Sequence, residues 1–256
     1  MKIIVFDLDD TLAPSKSRVD DSMVVLLTEL LERIDVCIIS GGRFEQFENQ
    51  VLAPLAGSTQ LSRLHIMPTC GTQYYRWSPA TQEWEQQYAQ NLTEAEKNAA
   101  LSVVETGARE LGLWEPKTWG PILEDRGSQI TFSALGQSAP VAEKAAWDPD
   151  GKKKNALREY AAARLPDLEV RSGGSTSVDI TRKGIDKAYG IRKLCEALDL
   201  ELPDLLFVGD RLDEAGNDYP VKAMGVECVA VEGWEDTAAY LTELLQTLPH
   251  AEPLSP

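Results

Sequence analysis

Short unbroken apolar runs alternate along this chain with longer amphipathic stretches. "KIIVF" from Lys2 precedes the helix-like "DSMVVLLTELLERI" from Asp21 and then "VCIIS" from Val36. "LLFVGD" from Leu205 and "ECVAV" from Glu227 lie among helical stretches near the other end. Continuous apolar strands separated by helices bury both faces, as parallel strands covered on each side do. The two ends of the chain are therefore predicted to form one α/β core, a Rossmann-like doubly wound parallel sheet.

The middle follows a different pattern. "RLHIMPTCGTQYYRW" reads as strand, turn and strand, and "PATQEW" adds a turn before a helix from about Thr93 to Leu111. "GSQITFSALG" alternates like a strand with one wet face, "GKKKNALREYAAARLP" is helical, and "LEVRSGGSTSVDIT" gives two strands around a Gly-Gly turn. These elements predict an inserted α+β domain from Pro79 to Arg182, leaving residues 1–78 and 183–256 to the core. Tryptophans 77, 84, 114, 119 and 147 are expected to pack the inserted core, and "LPHAEPLSP" to form a loose tail.

Charge narrows the partners. A formal net charge of −16 repels nucleic acid and anionic membranes, and the run Lys152, Lys153, Lys154 is too short to reverse that field. A small anionic substrate is compatible, because a few local cations or a divalent metal override the global charge. The four cysteines form no CxxC pair, so free thiols are expected. No charged start followed by a long apolar segment is visible, so neither leader nor membrane span is expected and cytoplasm is the default.

Candidate chemistry sits at the strand ends, where parallel sheets bind ligands. "FDLDDT" ends the first apolar run with Asp7, Asp9 and Asp10, followed by Thr11. Asp7 and Asp9, two apart in extended chain, would project to one side, where a cation must relieve their repulsion. Mg²⁺ suits such oxygen ligands and keeps positions open for phosphate. "CIISGGR" ends a second strand with Ser40 and Gly41, whose hydroxyl and backbone N–H groups can hold phosphate oxygens. "GIDKAYGI" offers Lys187 at a helix start, and "LLFVGDRLDEAGNDYP" supplies Asp210, Asn217 and Asp218 after a further strand.

In this order "DLDDT", Ser40, Lys187 and "GDRLDEAGND" resemble the four motifs of the haloacid dehalogenase superfamily of phosphotransferases. The insertion is similar to the cap of its subclass IIB, in the branch of phosphomannomutases and sugar-phosphate phosphatases. The resemblance implies that Asp7 is the nucleophile forming an aspartyl-phosphate and Asp9 the general acid and base. It implies Mg²⁺ held by the Asp7 side chain, the Asp9 carbonyl and Asp210, with Asn217 and Asp218 in support. Ser40, Gly41 and Lys187 would bind the phosphoryl group. Asp10 is left a local part, in turn geometry or helix capping.

In the cap, "EDRGSQITFSALGQ" and "RSGGSTSVDITRKGIDK" resemble the segments that grip the sugar and its distal phosphate. By that match Arg126 contacts phosphate, and Ser177 and Asp179 contact sugar hydroxyls. Two further arginines of the pattern are Gln137 and Lys144 here. Gln carries no charge and Lys cannot form the bidentate fork, so the expected main activity is Mg²⁺-dependent hydrolysis of a small phosphorylated sugar or polyol. A phosphomannomutase-like isomerase is the alternative, and a non-catalytic protein with the same fold a third reading. Cap closure over the core is expected, since water must be limited during phosphoryl transfer and admitted afterwards, and the resemblance implies a monomer or a cap-mediated homodimer.

Overall fold

The computed structural model describes residues 1–249. Of the expected tail "LPHAEPLSP", the residues from His250 onward lie outside the described residues. The chain divides into two compact units, Met1–Ala89 with the chain from Asp186 onward, and Gln90–Ile185.

In chain order the first unit opens with β1 (Ile3–Phe6), α1 (Asp21–Leu31), β2 (Asp35–Ile39), α2 (Phe44–Phe47), β3 (Leu64–Met67), β4 (Gln73–Ser78) and β5 (Glu83–Ala89). The inserted unit then carries α3 (Glu94–Glu110), β6 (Leu123–Asp125), β7 (Gln129–Ser133), α4 (Val141–Trp147), α5 (Lys152–Ala162), β8 (Leu168–Ser172) and β9 (Ser177–Arg182). The first unit resumes with α6 (Lys187–Leu198), β10 (Leu205–Gly209), α7 (Tyr219–Ala223), β11 (Glu227–Ala230) and α8 (Trp234–Thr247).

The first unit is built on a seven-stranded sheet in the order β11-β10-β1-β2-β3-β4-β5. The pairs from β11 to β3 are parallel, and β4 and β5 extend the sheet antiparallel. Alternate residues of each parallel strand enter different cores. Ile4, Phe6, Val36 and Ile38 pack with Met23, Leu27 and Leu241, whereas Ile3, Val5, Cys37 and Ile39 pack with Ile191, Leu194 and Val221. Burial on both sides explains why these strands contain no polar alternation.

The first dividing point falls at Gln90 rather than at Pro79. Gln82 (φ 56°) turns the chain so that β5 pairs along β4 from Ser78↔Glu83 to Gln73↔Ala89, which keeps this hairpin in the first sheet. Trp77 and Trp84 meet edge to face on that hairpin, so they pack the first unit and not the inserted one.

The inserted unit has its own antiparallel sheet, β6-β7-β9-β8. Ile130, Phe132, Val178 and Ile180 join Val104 of α3 and Leu157 of α5 in one apolar cluster that also takes Trp147. Trp119 stays exposed, against the core placement expected for it. Thr93 and Glu96 close a capping box at the start of α3, and Arg182 at the end of β9 pairs with Glu96. The cysteines of the described residues are free thiols. Among the described residues no helix is long and apolar enough to cross a membrane.

Candidate active site

β1 and β10 are parallel neighbours in register, Phe6 opposite Val208, so the residues that follow them emerge side by side. This brings Asp7 and Asp210 together, and the turn after β10 returns Asp218 to the same place. A Cβ at Gly209 would overlap the Asp218 carboxylate, so this glycine lets the turn close. The carboxylates of Asp7, Asp210 and Asp218 lie within 4.8 Å of one another. Lys187, 1% exposed at the first turn of α6, reaches Asp7 Oδ1 and Asp218 Oδ1, each at 2.5 Å. The second Asp218 oxygen accepts the Arg211 N–H at 3.1 Å, and the Thr11 hydroxyl donates to Asp210 Oδ1 at 3.3 Å.

Burial dominates the electrostatics. It pushes the Asp7 carboxyl up to about 7, against the pull of the Lys187 ammonium. Burial pulls Lys187 down, but the Asp7 and Asp218 carboxylates reverse that and leave it raised. Asp210 is raised by burial and then by the charge of Asp218. Three carboxylates facing one ammonium leave an excess of negative charge, and all three offer hard oxygen donors. That donor set fits a divalent cation such as Mg²⁺.

Ser40 follows β2 and is buried, its hydroxyl accepting the Gly42 N–H at 3.2 Å. The loop after β3 fixes it from behind: Cys70 N–H donates to Ser40 O and Thr69 N–H to Gly42 O, each at 2.9 Å. Thr69, Cys70 and Gly71 all adopt positive φ, a tight path that lays Gly71 directly on Gly190 of α6. A Cβ on either glycine would meet the opposing backbone. The Ser40–Gly42 loop and the helix bearing Lys187 are thus held in one frame.

Asp9 is placed differently from its expected position beside Asp7. β1 ends at Phe6, so the strand alternation that would align the two carboxylates does not continue. The Asp9 carboxylate accepts from the Lys16 backbone N–H (2.6 Å), Gln46 Nε2 (2.8 Å) and Gln50 Nε2 (3.3 Å). The carboxylates gathered with that of Asp7 are those of Asp210 and Asp218. The exposed Asp10 adopts φ 63° and accepts the Ser15 N–H at 3.0 Å, which makes it a turn residue; the cap of α1 is Asp20. Asn217 is exposed on the turn before α7. Gln46 and Gln50 were not singled out in the sequence, although their four-residue spacing just after the Ser40 loop was available as a signal.

The inserted unit carries its polar candidates on one face of its sheet. Thr131 lies opposite Asp179 and Ser133 opposite Ser177. Thr131 Oγ1 donates to Asp179 Oδ1 at 2.8 Å, Gln129 Nε2 to Thr131 Oγ1 at 2.9 Å, and the Ser133 and Ser177 hydroxyls are 3.4 Å apart. The face expected to be wet is therefore a buried hydrogen-bonded row, with Gln129, Thr131 and Ser133 all buried. Arg126 sits in the β6–β7 turn and pairs with Glu124 through Nη2 at 2.8 Å. Lys144 Nζ donates to the Gln137 carbonyl at 2.7 Å, so a cation stands beside the neutral Gln137.

Aspartates beyond two adjacent parallel strands, a hydroxyl-bearing loop beyond the next and a buried lysine at a helix start define an enzyme of the haloacid dehalogenase superfamily. A haloacid dehalogenase-like hydrolase from Bacteroides thetaiotaomicron has the same fold, with a TM-score of 0.64 over 95% of this chain and 99% of that one at 17% identity. The family model of eukaryotic phosphomannomutase matches residues 23–247, and the chain belongs to that family. Phosphomannomutase 1 of Mus musculus is 23% identical over 230 residues, 86% of this chain and 83% of its own. A probable phosphomannomutase of Caenorhabditis elegans is 25% identical over 265 residues, covering 96% of each.

These relatives overturn the expectation of hydrolysis as the main reaction, because they are named for an isomerase. That expectation rested on two arginines of the pattern being Gln137, which carries no charge, and Lys144, which lacks the bidentate fork. The Lys144 ammonium against the Gln137 carbonyl shows that positive charge is retained there.

Proposed function

We propose that this protein is a phosphomannomutase-type isomerase, moving a phosphoryl group between two hydroxyls of a small phosphorylated hexose. The observation that carries this reading is the family match over residues 23–247 in a chain that gathers Asp7, Asp210, Asp218 and Lys187 in one buried cluster.

Asp7 is the nucleophile: a carboxylate oxygen attacks phosphorus, the bond to the sugar oxygen breaks, and an aspartyl-phosphate forms. Lys187 holds Asp7 in place and, with Ser40 and the N–H groups at Gly41, binds the transferring phosphoryl oxygens. Asp9 gives a proton to the departing sugar oxygen and takes one from the hydroxyl that later attacks. Asp7, Asp210 and the Asp9 carbonyl would hold Mg²⁺, with Asp218 and Asn217 supporting them. Bound there, the ion neutralises charge on the phosphoryl group. Arg126, Ser177 and Asp179 supply the hold on the sugar and its second phosphate, with Lys144 as a further cation.

Isomerisation followed by phosphorus NMR tests the proposal. Mannose 1-phosphate, Mg²⁺ and a catalytic amount of hexose bisphosphate should yield mannose 6-phosphate. Inorganic phosphate as the sole product would overturn it.

A further inference from the structure

The polar face of the inserted sheet consists of two rows that differ in exposure. Asp179 and Ser177 on β9 are half-buried, whereas Gln129 and Thr131 on β7 are 4% and 1% exposed. Groups so sealed do not reach a ligand themselves. A buried amide and hydroxyl are costly unless their hydrogen bonds are made, and these two make them with each other and with Asp179. Gln129 and Thr131 stand two apart on β7 and so share a face, with Thr131 in register with Asp179. Gln129 Nε2 donates to Thr131 Oγ1 at 2.9 Å, and that hydroxyl donates to Asp179 Oδ1 at 2.8 Å.

The direction of this relay is fixed at its carboxylate end. A carboxylate offers only acceptors, so Thr131 must place its single proton on Asp179. Thr131 Oγ1 then turns lone pairs alone toward Gln129, which must answer with its NH₂ group rather than its carbonyl. Arg171, in register with Asp179 on β8, is drawn aside: its Nε donates to Glu169 Oε1 at 3.0 Å and its Nη1 to the Ile185 carbonyl at 2.8 Å. The second Asp179 oxygen lies over Gly173, where an added Cβ would stand 2.7 Å from it. Asp179 is thus held at Oδ1 from β7, with Oδ2 against a residue that has no side chain. Ser177 is held less closely, its hydroxyl 3.4 Å from that of Ser133.

We propose that Gln129 and Thr131 are positioning residues that fix the Asp179 carboxylate as the rigid hydrogen-bond acceptor of the sugar site, so that the inserted unit selects a sugar hydroxyl donating from one direction. This rests on the isomerase reading above. Gln129 acts without touching the sugar: it orients the Thr131 hydroxyl, which sets the rotation of the Asp179 side chain. The ordering is complete before a ligand arrives, so its entropy is not lost on binding. An acceptor held in one orientation discriminates against a sugar whose hydroxyl is missing or points elsewhere, because the carboxylate is then left without its partner.

Thr131→Val keeps the shape and removes the hydroxyl, Gln129→Met keeps the length and removes the donor, and Gln129→Glu sets a second acceptor against the single Thr131 proton. KM and kcat are measured for conversion of mannose 1-phosphate to mannose 6-phosphate with Mg²⁺ and catalytic hexose bisphosphate. KM should rise about tenfold in Thr131→Val and about threefold in Gln129→Met, with kcat changed much less, and Gln129→Glu should exceed Gln129→Met. Thr131→Ser keeps the hydroxyl and should restore KM to near the wild-type value, so the Thr131 pair decides the question even where a Gln129 variant fails to fold. With Asp179→Ala in place, Gln129→Met should no longer alter KM, since it acts only through that carboxylate. A rise that persists in the Asp179→Ala background, a Gln129→Met effect as large as that of Gln129→Glu, an unchanged KM in Thr131→Val, or a loss confined to kcat would overturn the proposal. Absence of mannose 6-phosphate with wild type would overturn the isomerase reading instead.

Discussion

Two buried polar regions of this chain are built from opposite materials. At the ends of β1 and β10 the groups are ionic: Asp7, Asp218 and Lys187 are nearly sealed, and carboxylates outnumber ammonium. On the β7–β9 face they are largely neutral, a row of Gln129, Thr131, Ser133 and Ser177 closed on the single carboxylate of Asp179. Buried charge is expensive unless paired, and here it is paired only in part, which leaves the region open to a cation and a phosphoryl group. Buried hydroxyls and amides cost less and choose partners by geometry, which suits recognition of a sugar. On the proposed reading the first region carries the chemistry and the second the selection.

The largest effect expected from this contrast is at Lys187. Lys187→Met strands Asp7 against Asp218, and the folded state should lose about 3–5 kcal/mol in urea unfolding, as broken buried pairs do. Adding Asp218→Asn should recover part of the loss, and an unchanged unfolding midpoint would erase the distinction between the two regions. In the neutral row, Asp179→Asn should raise KM about tenfold while kcat falls much less, the mark of lost ground-state binding; a fall confined to kcat would move Asp179 into the chemistry.

The smallest effect is structural. Glu96→Ala removes the capping box of α3 and should cost about 1 kcal/mol. Hydrogen bonds from Arg182 and Thr93 hold the Glu96 carboxyl down to about 2, from an ordinary value of 4.5. A depressed carboxylate stabilises the fold fully above its unfolded value, so the difference between wild type and Glu96→Ala should shrink as pH falls through 4.5 toward 2. A difference that stays constant across that window would remove the ion pair from the explanation.

The parallel core was legible because its strands are buried on both sides and carry no polar interruption. Asp7, Ser40 and Asp210 were legible for the same reason, since each directly follows such a strand. The β4–β5 hairpin was not, because the outward residues of "EWEQQYA" hide which sheet the strand joins, and only its pairing with β4 assigns it. The position of Asp9 escaped too. It depends on where β1 stops and on a π-helical turn that aims two glutamines, neither of which periodicity records. Thr131 was visible as part of an alternating strand, but its bond to Asp179 depends on the register of β7 with β9.

The central claim is that the phosphoryl group rests on Asp7 and is then handed to a sugar. Rapid quenching with radiolabelled hexose bisphosphate tests it directly. Label should appear on wild-type protein as a base-labile adduct mapped to Asp7, be absent from Asp7→Asn, and move to hexose bisphosphate when unlabelled mannose 1-phosphate is added. Label that never joins the protein, or that leaves it only as inorganic phosphate with the monophosphate present, would contradict the account.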